Sequence, residues 1–197
     1  METTSQISLK ASLEKDIKLT CSNYTNMHAR LQLRNNMASV LIVYYSIVTI
    51  VFSIIGRYFS ISELSNTVLD FSAVLTAIVI LVSSLMISMA NYSFRIRDAV
   101  IAIDSLKKMK KEIQAKAGTM EQDEYDEYIE KYHEIIDKME LRSETDFFRT
   151  CFKEKKTKEY FTKIQRFVLA CEIIFERCFY LCLIVAPVIL IVFVVPL

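Results

Sequence analysis

The stretch "ASVLIVYYSIVTIVFSIIG", Ala38–Gly56, decides the fold class. It holds no charged residue, and at about 1.5 Å of helical rise per residue, the run from Met37 to Gly56 reaches about 30 Å, the thickness of a bilayer core. A soluble helix would alternate apolar and charged faces, and this one does not. The stretch has a second property. Ser39, Ser46 and Ser53 recur every seven residues, with Thr49 and Gly56 on the same stripe. Small residues on one side let two helix backbones approach closely, and hydroxyls could equally face water in an oligomeric pore. Both readings stand at this point.

Working outward, a second uncharged run extends from Phe71 to Phe94. The short connector "RYFSISELSNTVLD" makes the two runs antiparallel neighbours. A third run, "CFYLCLIVAPVILIVFVVPL", occupies Cys178–Leu197 with Pro187 near its middle, where a kink is expected. Crossing is the expected state of this run, and a re-entrant or interfacial helix is the alternative. The second span also carries small and polar residues. Ala77, Ser84, Ser88 and Asn91 share a face, with Thr76 and Ser83 beside it.

The chain of 197 residues has only two glycines, two prolines and no tryptophan. A β-rich fold needs many more turn residues. The expected fold is therefore an all-α membrane protein: a transmembrane helical hairpin, a C-terminal third transmembrane helix, and an antiparallel helical hairpin in the cytoplasm. As a single domain over 1–197 it divides into a cytoplasmic helix (1–36), a first span (37–56), a second span (71–94), a cytoplasmic helical region (95–177) and a third span (178–197). The first twenty residues hold no apolar run, so no cleavable leader is expected.

Orientation follows from Lys and Arg near the spans. Arg30 and Arg34 precede the first, Arg95 and Arg97 follow the second, and Lys163, Arg166 and Arg177 precede the third. These place the N-terminus and the central region in the cytoplasm and the C-terminus outside. Arg30, Arg34, Arg95, Arg97 and Arg177 are the expected anchors against anionic lipid heads.

Below the second span no glycine or proline occurs until Gly118, so one helix is expected to continue from Phe71 to about Lys116. Ile96, Ala99, Ile103, Leu106 and Ile113 form its seam, interrupted by Lys110. After a turn at Gly118, Tyr125, Tyr128, Tyr132, Ile135 and Met139 repeat the rhythm. Lys107, Lys108, Lys110 and Lys111 would face Glu121, Asp123, Glu124 and Asp126 across this hairpin. Phe147, Phe148, Cys151 and Phe152 mark a short helix that docks on it. Thr157 is the expected cap of a last helix whose apolar stripe is Tyr160, Ile164, Phe167, Cys171 and Ile174.

Catalytic chemistry finds little support. His28 and His133 have no ligand-spaced companion, and the five cysteines form no C-x-x-C pair. No phosphate loop, nucleophile elbow or zinc-protease signature occurs. No enzyme activity, cofactor or metal is expected, and the absence of a glycine-rich loop or stacking platform argues against direct nucleotide binding at "KKMKK". No ionisable group lies inside the three runs, which weakens a transporter reading. Tyr125, Tyr128, Tyr132 and His133 remain as a candidate face for coupling or for a cytoplasmic partner.

The basic "LKASLEKDIKLTCSNYTNMHARLQLRNN" leading into a two-span hairpin, followed by "EYIEKYHEIIDKMELRSETDFF", resembles the SLATT domain family, and in particular its fifth subfamily. The likeness runs from about Leu9 to the end of the chain. It implies a membrane effector of prokaryotic conflict systems, sited in the inner (plasma) membrane. It further implies a unit that forms pores or perturbs the membrane, arresting an infected cell in anti-phage defence (abortive infection); the polar faces on both spans add the expectation of a homo-oligomer. Expected partners are membrane lipids and the product of a neighbouring gene, such as a reverse transcriptase or a nucleotide-signalling enzyme. The rival expectation is a membrane-anchored adaptor that recruits a partner through the tyrosine-bearing arm.

Overall fold

The computed structural model describes residues 2–58, 63–116, 120–140 and 143–194, and every element among them is helical. The order is α1 Glu2–Tyr58, α2 Glu63–Ala90, α3 Tyr92–Ala115, α4 Gln122–Asp137, α5 Glu144–Lys153, α6 Thr157–Tyr160 and α7 Lys163–Val194. The scarcity of helix breakers accounts for the unusual length of α1, 57 residues without a proline. The expected turn at Gly118 and part of the first connector lie outside the described residues.

The chain forms two compact units. Unit 1 comprises Met1–Gln32 and Ser93–Leu169, and unit 2 comprises Leu33–Tyr92 and Ala170–Leu197.

Unit 2 contains the uncharged runs. On α1, Leu41, Tyr45, Val48 and Phe52 are buried, a three-four rhythm that points one side of the helix inward. Val48 and Phe52 pack with Leu69 of α2, and Tyr44 and Ile55 flank them. The opposite sides stay bare. Val43, Ile50, Phe71, Leu81 and Met86 are each 60% or more exposed, a distribution suited to lipid and costly in water.

Pro187 lies inside α7. Its ring nitrogen has no hydrogen, so the carbonyl four residues earlier, Leu183, loses its intrahelical donor. The Tyr45 hydroxyl donates to that carbonyl at 2.8 Å, and the Tyr44 hydroxyl donates to the carbonyl of Ile184 at 2.8 Å. Two adjacent tyrosines of α1 thus supply donors where the proline removed one.

Unit 1 packs on the faces of α1 and α3. Leu13, Ile17, Met27 and Leu31 of α1 are almost fully buried, as are Ala99, Leu106 and Ile113 of α3. The expected α3 seam is recovered, with Met109 rather than Lys110 filling the interrupted position. Lys116 pairs with Glu124 of α4. Among the described residues no ion pair joins Lys107, Lys108, Lys110 or Lys111 to the acidic arm, because those lysines lie off the buried seam.

Three expectations are corrected. The helix from Phe71 does not run unbroken to Lys116: Asn91 takes φ 47 and separates α2 from α3. Asparagine tolerates this left-handed geometry better than other residues with a side chain beyond Cβ. The last long helix starts at Lys163, not at Thr157. Thr162 caps it, its backbone N–H donating to Gln165 Oε1 at 3.0 Å and its Oγ1 accepting from the Gln165 N–H at 3.4 Å. This is the reciprocal T-x-x-Q box, and it outcompetes Thr157, which opens only the four-residue α6. Finally, the apolar stripe on this helix is turned outward. Ile164, Phe167 and Ile174 are 77%, 71% and 59% exposed, while Leu169 is buried and Ile173 and Leu183 are half-buried.

Candidate functional site

α5 is built around one carboxylate. Ser143 caps the helix and Asp146 returns the bond in a capping box. Asp146 is fully buried, and Arg30 of α1 donates to both its oxygens, at 3.0 and 2.8 Å. Paired, a buried carboxylate and guanidinium meet each other's needs; separated, either is strongly destabilising. Arg30, expected to meet lipid heads, therefore has its guanidinium committed inside unit 1. One turn earlier on α1, the Asn26 carboxamide donates to Thr150 Oγ1 at 2.8 Å and accepts from Lys153 Nζ at 2.7 Å.

Two further arginines have protein partners. Arg34 donates to Glu176 of α7 at 2.5 Å within unit 2, and this hydrogen bond holds its pKa above the ordinary arginine value. Arg95 grips Glu140 through two hydrogen bonds of 2.7 and 2.6 Å within unit 1. Arg97 and Arg177 are exposed; Arg97 lies 3.5 Å from Asp98, with its guanidinium over the Phe94 ring. Neither pairing was legible from local sequence, since the partners lie 142 and 45 residues away.

The hydroxyl stripe of α1 has a definite geometry. Ser39, Ser46, Thr49 and Ser53 each donate to the carbonyl four residues earlier, at 2.9, 2.7, 2.9 and 2.9 Å. Ser72 and Thr76 do the same on α2. Bonded this way, a hydroxyl needs no water and can face lipid or another helix. Ser39 and Ser53 are exposed, whereas Ser46 and Thr49 are half-buried. The side-chain surroundings of Gly56 lie outside the described residues. On α2, Thr76 is buried and Ser83 half-buried, while Ala77, Ser84 and Ser88, with Asn91 beyond its end, are exposed. The polar positions thus divide between an inward and an outward side.

A cleft of about 300 Å³ in unit 2 is lined by Leu41, Ile78, Val82 and Met86, with Arg34 and Tyr180 among its walls. In unit 1 a smaller cavity of about 240 Å³ lies between α1 and the α4 segment.

The tyrosine-bearing arm is more occupied than its sequence implied. Tyr128 is buried, with the ammonium groups of Lys116 and Lys131 5.1 and 5.4 Å from its ring centre. The Tyr132 hydroxyl bonds Thr20 Oγ1 at 2.7 Å. Tyr125 is half-buried, and His133 is exposed with its ring 5.7 Å from that of Tyr132. Among the described residues no group of three or more His, Cys, Asp or Glu side chains could hold a metal ion. All five cysteines are free thiols.

Two helical stretches, Leu9–Ile55 within α1 and Thr67–Ala115 through α2 into α3, are long and apolar enough to cross a membrane. With their apolar sides bare, they define the class: an all-helical membrane protein built on a two-helix apolar core. Residues 8–193 match the SMODS and SLOG-associating 2TM effector domain family 5, and the chain belongs to that family. The expected likeness to the fifth SLATT subfamily is thereby borne out. No curated protein and no solved structure matches the chain. The family makes the chain a membrane effector domain of a conflict system, of a kind not known as an enzyme.

Proposed function

We propose that this chain is a non-enzymatic effector that assembles into homo-oligomers in the prokaryotic inner membrane and permeabilises it during anti-phage defence. One observation carries the reading. Membership of a two-span effector family coincides with apolar helices whose outward sides are covered by nothing in the single chain. Lipid covers part of that surface, and other copies cover the rest, through the small residues Ser39, Ser53, Ser84 and Ser88. In this proposal α7 crosses as a third span from Cys178, unit 1 is cytoplasmic, and the C-terminus is outside. Arg97 and Arg177 meet the lipid heads. A neighbouring-gene product, such as a reverse transcriptase or a nucleotide-signalling enzyme, supplies the trigger through the surface bearing Tyr125 and His133.

The test is induced expression with membrane potential followed by a voltage-sensitive dye, paired with dye release from liposomes. Depolarisation and release support the proposal, and sealed membranes with the trigger present refute it.

The hydroxyl geometry favours a second reading, an anchored adaptor in which the stripe serves packing alone. Every described stripe hydroxyl on α1 already has a backbone acceptor. Replacing Ser39, Ser46 and Ser53 with alanine separates the two. A water-lined path conducts less without the hydroxyls, whereas packing tolerates the change because residue size is kept.

A further inference from the structure

Within unit 2, α7 carries two seams. Ile173, Glu176, Tyr180 and Leu183 are half-buried and Pro187 is buried, a three-four rhythm turned toward α1. Glu176 holds Arg34 on this side, and the Leu183 carbonyl takes the Tyr45 hydroxyl. Cys171, Ile174, Cys178, Leu181 and Val185 keep the same rhythm two residues out of step, about 200° round a helix of about 3.6 residues per turn. All five are exposed, Ile174 by 59% and Leu181 by 64%. The second seam therefore lies on the side of α7 opposite its contacts with α1.

Lipid does not suffice to cover this seam. The uncharged run begins at Cys178. Ahead of it, Cys171 and Ile174 stand among Glu172, Glu176 and Arg177, a stretch too charged for hydrocarbon. Ile174 and its neighbour Phe175 are nevertheless bare. Apolar surface left in water has a cost that protein cover removes. The seam passes from the charged stretch into the uncharged run without changing step, so one surface fits both. A repeat of about 3.5 residues is the period of one helix laid along another, and lipid chains demand no period.

We infer that this seam is the contact between two copies of the chain, α7 lying parallel and in register against α7 of a second copy. Every copy enters the membrane the same way up, so identical seams meet side by side about a two-fold axis. Small and large positions alternate along the seam. Cys171 and Cys178, one heptad apart, let the backbones approach, and Ile174 and Leu181 fill the spaces between. The inference rests on the proposed third span, which fixes the direction of α7 in each copy, and is independent of a pore. The serine-bearing sides of α1 and α2 are separate from this contact and join pairs into larger assemblies.

Disulfide cross-linking of the full chain in liposomes, at a low protein-to-lipid ratio, tests it. Two cysteines join only when their Cα atoms come within about 7 Å. Cys178→Ala/Cys182→Ala leaves Cys171 as the cysteine of α7, and Cys171→Ala/Cys182→Ala leaves Cys178. Controls at similar depth are Cys171→Ala/Cys178→Ala, which leaves Cys182 beside the seam, and the triple alanine variant carrying Glu172→Cys. Cys21 and Cys151 stay in place throughout, and the triple alanine variant alone reports any dimer they form. On brief oxidation, Cys171 and Cys178 are each expected to give covalent dimers at least about tenfold faster than either control. An antiparallel pair brings at most one of these positions onto its own counterpart, so dimers at both read the parallel register directly. Ile174→Glu, at an exposed site, is expected to cut both rates to the control level with helix content unchanged. Equal rates at seam and control positions, dimers at only one of Cys171 and Cys178, or full cross-linking with Ile174→Glu overturns the inference. Sealed liposomes with both cross-links present refute permeabilisation and keep the pairing; permeable liposomes without them do the reverse.

Discussion

Replacing Tyr45 with phenylalanine removes one oxygen and leaves every carbon of a 6% exposed side chain in place. The loss falls on the Leu183 carbonyl, which Pro187 has already deprived of its helical donor. A buried carbonyl stripped of its donor costs about 1–3 kcal/mol, and hydrogen bonds between helices in membranes fall toward the low end of that range. A cost of about 1–2 kcal/mol is therefore expected for Tyr45→Phe. In a Pro187→Ala background, the restored N–H at 187 can reach the same carbonyl, and the cost should shrink to a few tenths of a kcal/mol. The coupling between the two positions is then about 1 kcal/mol. Tyr44→Phe serves as the control, because the acceptor of Tyr44 is the Ile184 carbonyl and Val188, four residues on, keeps its N–H. The assay titrates detergent-solubilised protein with a denaturing detergent and follows tertiary structure by near-ultraviolet circular dichroism. Should Tyr45→Phe cost as much with alanine at 187 as with proline, the proline-freed carbonyl is not what Tyr45 serves.

Other expected outcomes concern unit 1 and the start of α7. Arg30→Ala should destabilise by about 3–5 kcal/mol, since it leaves the Asp146 carboxylate buried and unpaired; the Arg30→Met, Asp146→Leu double variant should recover most of the loss in the same titration. Thr162→Ala should cost about 0.5–2 kcal/mol and fray the first turn of α7, seen as faster amide exchange at Ile164 and Gln165. The Glu134 carboxyl, hydrogen-bonded by Lys138, is held below its ordinary 4.5, and Glu127 is held down likewise by Lys131. Because these folded pKa values are depressed, the stabilisation is present above the unfolded value and disappears as pH falls through the folded one. Carbon-13 titration should therefore find a lower midpoint at Glu134 than in Lys138→Ala, and the gap should close in high salt.

The apolar runs and the α3 seam were legible because each leaves a plain local pattern, either an unbroken absence of charge or a three-four rhythm. Faces and partners were less so. Near its start α7 carries five apolar residues in a row, Phe167 to Cys171, which cover every side of the helix, so periodicity could not choose between Phe167 and Leu169, and only packing turned Leu169 inward. The break at Asn91 carries no glycine or proline to announce it. Thr162 was legible in principle, since T-x-x-Q stands in the sequence five residues after the Thr157 first preferred. In unit 1, Asn23 looked like any polar residue on an amphipathic helix. Its burial without a hydrogen-bond partner emerged only once residues more than a hundred positions away had closed around it.

The Arg30–Asp146 contact joins residues 116 positions apart, and that distance has a meaning in time. While a ribosome is still making the middle of the chain, no carboxylate at 146 exists, and Arg30 is a loose cation just ahead of Met37–Gly56. On the topology proposed above, it then counts toward how that segment orients in the bilayer. Once α5 emerges, the same guanidinium is withdrawn from that duty and becomes a fastener. A residue read as a topological signal and a residue seen locked in a core can thus be one residue at two ages of the chain.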